Sequence, residues 1–389
     1  MILRNRPAPG SLWTLLLVAV CVFEACSSAE NDDLAGVERW TVHPEPSVVI
    51  GQLEGDPAYL FQQVTGALLT PDDRIVVADR GPGSIRVYDP DGTFVAQMGG
   101  EGAGPGEFAF LRSIWFVPPD TVGAWDSDNI RITYFTLDGA LARTLALEPS
   151  LESAGVGRLD VLVGPVGAGV VAIGSITAGS ADGTGHDRIS VERFGPDGEH
   201  RGRLTEVTGF IRGRGGPGPF SPYPYFAVHD GVIHFTNGET PTVHLWDGAG
   251  PYAGAADRVV TLPPADNDAA EAWEALPALL EDRGDEMRLF FLEQAERSDS
   301  IPHLAGLLVD RGGHVWTKRY HAPRDAMMLD GGPRVRGGTW WVADTTGALV
   351  AVADVPAGLA PLQVAGDRLL GLTVDELGVE RVQLHTVGR

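Results

Sequence analysis

The chain has 389 residues, a formal net charge of −23 and two cysteines. That acidity repels nucleic acid and anionic lipid headgroups, and the cysteine count leaves no disulfide framework. Gly 51 and Pro 28 are high for a helical protein and ordinary for many short strands joined by tight turns.

Arg4 and Arg6 precede an almost wholly apolar run, Leu12–Phe23. The run is too short to span a bilayer and suits the h-region of an export signal. In Phe23-Glu24-Ala25-Cys26-Ser27 a small residue precedes a cysteine, as in a bacterial lipobox, and a polar tether follows. Glu24 stands where a small or apolar residue is usual, so cleavage after Ala29 competes with lipidation of Cys26. Residues 1–26 read as the signal and 27–36 as the tether. The expected location is the periplasm or outer membrane as a lipoprotein, or secretion. Cys21 and Cys26 both fall in or beside the signal, so the remainder has no thiolate metal site and no cysteine nucleophile.

A strand-and-turn unit then recurs. Its clearest copy is Asp72-Asp73-Arg74-Ile75-Val76-Val77-Ala78-Asp79, then Ile85-Arg86-Val87-Tyr88-Asp89-Pro90-Asp91-Gly92. A looser copy runs from Thr121 to Ala140. Short strands repeating every 40–50 residues or so predict an all-β fold, a β-propeller of four-stranded blades, A innermost to D outermost. Blade one takes A from Tyr59–Thr70, B from Ile75–Asp79, C from Ile85–Asp89 and D from Thr93–Gly99. Blade two is Ser113–Leu147, and blade three runs from about Val161 to Val207. Blade four takes strands at Phe226–Val228, Val232–Phe235, Val243–Trp246 and Val259–Leu262.

A short helical insertion, residues 264–302, separates blades four and five. Trp273, Leu276, Leu279 and Leu280, then Met287, Phe290 and Phe291, recur at helical spacing. Asp266, Asn267 or Asp268 caps the start, and Pro277 and Gly284 break it into two helices. Blade five resumes at His303, with strands at Leu307–Asp310, His314–Thr317, Thr339–Val342 and Leu349–Val352. Blade six has Leu362–Val364, Leu369–Leu372 and Val379–Val387, one strand short. Val37–Val42 supplies that strand, which closes a six-bladed ring over residues 37–389 and removes its exposed edge.

Three stretches resemble the six-bladed β-propeller proteins related to the NHL-repeat family, common as exported bacterial proteins. They are Val77-Ala78-Asp79 with Ile85–Gly92, the glycine-rich Gly99–Phe108 between blades, and Val309–Trp316. The resemblance implies a fold, whose members serve as binding scaffolds, lyases and lactonases.

Chemical motifs are sparse. Gly99–Phe108 lacks the Lys-Ser/Thr end of a phosphate loop, and Gly213–Phe220 echoes it before blade four, so both read as interblade turns. Arg212 and Arg214 there meet an anion or solvent. Histidines cluster as His229, His234 and His244 in one blade and His303, His314 and His321 in another, without metal-ligand spacing. Asp126-Ser127-Asp128-Asn129 is oxygen-rich but does not complete a calcium loop. No GxSxG elbow is present.

No cofactor is expected, with calcium or zinc left open. The leading reading is a non-enzymatic binding or scaffold propeller at the bacterial cell envelope, a monomer that meets membrane only through a lipid anchor. Its partner would be a protein, or a carbohydrate or peptide ligand. The alternative is a metal-assisted lyase or lactonase acting at the funnel. A third reading is a subunit of a secretion or uptake complex, with the insertion as contact. Any ligand site is expected on the face of the D–A and B–C loops, at Arg80, Arg112, Asp126, Asp128, Tyr225, Asn237, Arg319 and His321.

Overall fold

Ile75–Asp79 and Ser84–Tyr88 are buried at every position. A strand covered on both faces needs a packed layer on each side. The neighbour Phe94–Gly99 alternates between shielded and exposed positions, as an outer strand does. In the computed structural model the described residues are 34, 36–147, 158–166, 170–177, 186–211, 219–251, 254–281, 288–289, 292, 301–326 and 335–389. The signal, most of the tether with Cys26, Arg212, Arg214 and most of the insertion's second helix, with Met287, Phe290 and Phe291, lie outside them.

Two short strands, β1 (Glu38–Val42) and β2 (Val48–Ile50), precede the first blade. Blade one is β3 (Val64–Leu69), β4 (Ile75–Asp79), β5 (Ser84–Tyr88) and β6 (Phe94–Gly99). Blade two is β7 (Leu111–Val117), β8 (Thr121–Asp126), β9 (Arg131–Thr136) and β10 (Leu141–Ala146). Blade three is β11 (Arg158–Val166), β12 (Val170–Thr177), β13 (His186–Phe194) and β14 (His200–Ile211). Blade four is β15 (Tyr225–His229), β16 (Val232–Thr236), β17 (Thr242–Asp247) and β18 (Arg258–Thr261). Blade five is β19 (Leu304–Val309), β20 (Val315–Arg319), β21 (Gly338–Ala343) and β22 (Leu349–Val355). Blade six contributes β23 (Ala360–Ala365), β24 (Arg368–Val374) and β25 (Glu380–Gly388). Each blade is an antiparallel meander. The innermost strands touch in cyclic order, β3, β7, β11, β15, β19, β23 and back to β3.

The core lies between blades. Val76, Ile85 and Val87 of blade one meet Val122, Ala124 and Phe135 of blade two. Ile75 and Val77 on the opposite face meet Leu370, Leu372 and Val382 of blade six. Trp316 and Trp340 of blade five pack with Val364 and Leu369 of blade six and with Trp40 and Val42.

The ring closes through β25. Thr41 and Val42 stand opposite Gly388 and Val387. Val48, Val49 and Ile50 stand opposite Leu384, Gln383 and Val382. The outer strand of blade six is therefore longer than Val37–Val42: it is β1 and β2 in succession. β1 also borders β22, so the sheets of blades five and six are continuous. Side chains reinforce the seam. Glu380 accepts the Val64 N–H at 2.5 Å, and Gln363 accepts the Leu69 N–H at 2.6 Å. Arg311 of blade five donates to the Leu69 and Thr70 carbonyls at 2.7 and 2.9 Å. Arg39–Arg389 form one compact unit; in the preceding Met1–Glu38, the described residues show the Val37 N–H donating to Leu34 O at 3.1 Å.

The insertion contains α1 (Ala269–Leu279). Asp268 caps it, accepting the Glu271 N–H at 2.9 Å. Asn267 instead ties the insertion to blade five, donating to Tyr320 O at 3.0 Å and accepting the Ala322 N–H at 3.1 Å. The helix runs through Pro277 to Leu279; the proline has no N–H to give to the Trp273 carbonyl, and the helix ends within the same turn. Trp273 and Leu276 pack on Phe220, Ile301 and Tyr320.

Candidate functional site

The expected face is built on two buried carboxylates that end B strands. Asp79 closes β4 and accepts the Gln62 and Gln63 N–H groups at 3.2 and 2.8 Å, with Arg86 Nη1 at 3.3 Å. Asp126 closes β8 and accepts the Ala109 and Phe110 N–H groups at 3.1 and 3.0 Å. Both side chains are fully buried. Each anchors the loop that leads into its blade's innermost strand. The sequence marks Asp126 as a ligand group, but its oxygens are consumed: Asn129 adds a backbone and a side-chain donor at 3.3 and 2.7 Å, and Arg131 Nε lies 3.7 Å away. The Asn129 amide thus donates to Asp126 rather than offering an oxygen to a cation. Asp128 is exposed and takes no part in this network.

The anchored loop presents Phe110. Arg80 lies over its ring, Cζ 4.3 Å from the centroid, and donates from Nε to Gln63 at 2.9 Å. Arg112 approaches the same ring at 5.7 Å. Arg112 also acts electrostatically on Tyr223, whose ring lies 5.0 Å from that of Tyr225. Burial pushes both phenols up. Asn237 joins through its carbonyl, which accepts the Tyr223 N–H at 3.1 Å, while its side chain serves Glu239 at 3.2 Å.

Blade five supplies the third part. Lys318 and Asp325 form a buried ion pair, and Asp325 accepts the His321 N–H at 2.9 Å. Burial holds the His321 imidazole below its ordinary pKa; burial first, then Asp325 and Tyr225, raises the Tyr320 phenol, and burial first, then Tyr223 and Asp325, raises that of Tyr225. Tyr320 is buried, and its hydroxyl has no hydrogen-bond partner among the described residues. Arg319 sits half-buried at the end of β20, opposite Leu304.

Arg80 and Arg112 therefore share Phe110, Arg112 reaches Tyr223 and Tyr225, and Tyr225 feels Asp325 beside His321. Sequence reading misses Phe110, Tyr223, Lys318, Tyr320 and Asp325. Of these only Tyr223, inside Ser221-Pro222-Tyr223-Pro224-Tyr225, carries a visible signal, an aromatic held between prolines.

The histidines are dispersed into local roles. His303 Nδ1 accepts the Ala265 N–H at 3.1 Å, His314 Nδ1 lies 3.0 Å from Asp310, and His244 stacks on Trp246 at 5.9 Å. Among the described residues no group of three or more His, Cys, Asp or Glu is placed to hold a metal ion.

Residues 52–153 match the family described as a 6-bladed beta-propeller, the stretch spanning blade one and blade two where the repeat is most regular. No curated protein matches by sequence. A member of the duf4221 family from Bacteroides vulgatus is similar in structure, with a TM-score of 0.54 and 8% identity over 90% of this chain and 99% of that one. A Bacteroides fragilis protein described as a candidate exported protein has a TM-score of 0.50 and 10% identity over 90% of this chain and 99% of that one. At such identities the likeness shows the fold alone. Strand order, ring closure and the matched family agree: the chain is a six-bladed β-propeller, similar in fold to these two Bacteroides proteins.

Proposed function

We propose that the protein is a non-enzymatic binding propeller of the bacterial cell envelope, which holds a carbohydrate or peptide ligand on the face of the D–A and B–C loops. The observation that carries this reading is the Arg80–Phe110–Arg112 stack next to Tyr223 and Tyr225. Flat aromatic rings cover sugar or side-chain faces at low entropic cost, and guanidiniums pair with carboxylates. Two arginines held at this face of a strongly acidic chain favour a ligand bearing acidic groups. The envelope assignment rests on the signal-like N-terminus and on the fold of the Bacteroides fragilis protein.

Glycan and peptide arrays probed with the full-length chain test the reading. A hit confirmed by calorimetry should weaken about tenfold or more in Arg112→Ala and Tyr223→Ala, each loss being one charge-assisted or stacking contact. Binding that survives both changes would move the site elsewhere. Turnover of the bound ligand, lost on metal chelation, would replace the binding role with an enzymatic one.

A further inference from the structure

Blade four turns different chemistry to its two sides. Phe226, Ile233, Phe235 and Trp246 pack with Val166, Val191 and Leu204 of blade three. The alternate positions look the other way. His234 stands opposite Leu245, and Leu245 opposite Arg258, so the ladder places all three on one face. With His229 they line a cleft of about 230 Å³ against Gly313 and Val315 of blade five. It opens among the A–B and C–D turns, the face opposite the Arg80–Phe110–Arg112 stack.

The cleft brings one guanidinium, Arg258, beside two imidazoles in a chain of net charge −23. His234 is 4% exposed, and its Nδ1 has no hydrogen-bond partner among the described residues. Burial first, then His229 and Arg258, hold its pKa down to about 4. It is a neutral imidazole with an unused nitrogen, beside the Arg258 guanidinium. Arg258 gives one N–H to Thr345 O at 2.9 Å, and a guanidinium carries five. Two acids also line the cleft. Asp344 is spent on its own turn, accepting the Thr346 and Ala348 N–H groups at 2.8 and 3.0 Å. Asp230 is 90% exposed and lies 3.5 Å from His229 Nε2. Val232, Leu245, Val260 and Val315 make the remaining wall apolar.

We propose that this cleft binds a small aliphatic carboxylate, its oxygens on Arg258 and the imidazoles of His229 and His234 and its hydrocarbon end on the valine and leucine wall. The chemistry is matched on both ends. A buried imidazole without a partner favours an acceptor, the guanidinium favours a planar anion, and the apolar wall disfavours a fully hydrated ion such as phosphate. The volume lies below the roughly 300–1,000 Å³ of sites for drug-sized ligands, which limits the guest to a short acid.

The test follows the imidazole resonances of the full-length chain by NMR during titration with sodium butyrate. Sodium phosphate and sodium chloride at matched ionic strength serve as controls. Butyrate should shift the His234 signals saturably and raise the His234 pKa, because an anion stabilises the imidazolium and linkage makes the effect reciprocal. The groups facing His234 that also set its titration are His229, Arg258, Asp230 and Asp344, and each must be followed or held constant. Arg258→Gln, at an exposed position, should weaken butyrate about tenfold or more, and His229→Gln should weaken it by less. The proposal is overturned if butyrate does not saturate, if phosphate or chloride acts equally, or if Arg258→Gln binds as tightly as the parent.

Discussion

Asp126 and Asp128 stand two positions apart in one oxygen-rich loop, in opposite environments. Asp126 is fully buried and receives the Ala109, Phe110 and Asn129 N–H groups, whereas Asp128 is exposed. Asp126→Ala would leave buried donors and Arg131 without their acceptor, and should cost about 3 kcal/mol or more. Asp128→Ala should stay within about 0.5 kcal/mol of the parent. Urea unfolding of the two variants checks this; equal midpoints would show that Asp126 does not anchor the loop. His234 makes a second residue-scale case. Unfolded, a histidine takes its proton near pH 6.5, but folded His234 does so only at about 4. Below pH 6.5 the unfolded state binds more protons, so stability falls as pH drops and levels off below about 4. The depression corresponds to about 3 kcal/mol at most. His244, His321 and His385, also lowered chiefly by burial, add in the same direction. The turn aspartates Asp91, Asp138 and Asp197 are lowered from 3.8, so their contribution is intact above that pH and is lost only at lower pH. Melting temperatures between pH 7 and 4.5 should therefore fall, and fall less in His234→Gln. An identical slope in both proteins would assign the loss to other groups.

At the scale of elements, the C–D turns were the most legible part of the chain. In each of blades one to three an Asp-Gly pair closes the hairpin, with Thr93, Ala140 and Glu199 donating their N–H groups to Asp91, Asp138 and Asp197 at 2.9, 3.4 and 3.1 Å. Such turns are read locally, because the aspartate captures its own backbone and the glycine adopts positive φ. Their surroundings are not local. Gly139, at φ +94°, has 3.4 Å between an added Cβ and Gln97 O, while at Gly198, at φ +83°, the same atom would meet Ala146 O at 2.7 Å. Gly139→Ala should cost about 1 kcal/mol from backbone conformation alone. Gly198→Ala should cost clearly more, because a carbonyl of the preceding blade must also move. Thermal melts that rank the two equally would remove the interblade contribution. The helix start was legible to within three residues, and Asp268 turned out to be the cap. The pairing of Asn267 with Tyr320 and Ala322 was not, since a contact 53 to 55 residues away leaves no local pattern.

At the scale of the whole molecule, strand count alone predicts closure by the N-terminal strand, and the structure adds a second segment to it. Val48–Ile50 reads weakly in sequence because three residues show no periodicity. Phe110, Tyr320 and Asp325 likewise reach the face of the D–A and B–C loops only through packing between blades. The added segment changes what truncation should do. Trp40 and Val42 are 4% and 2% exposed between blades five and six, and Ile50 is 0% exposed between blades six and one. A chain beginning at Val48 would lose the first pair and keep the ladder of Val48, Val49 and Ile50 with Leu384, Gln383 and Val382. A chain beginning at Gly51 would lose both and expose the whole edge of β25. Each large side chain uncovered costs on the order of 2 kcal/mol, and each ladder hydrogen bond about 0.5–1.5 kcal/mol net. For the shorter chain the sum approaches the roughly 5–15 kcal/mol that holds an ordinary domain together. Melting temperature should thus fall in two steps, modestly for the start at Val48 and severely for the start at Gly51, with edge-to-edge association appearing in the second. Light scattering and calorimetry on the two chains, beside one beginning at Ser27, decide it. If all three melt together as monomers, the ring is closed by something other than its outer strand.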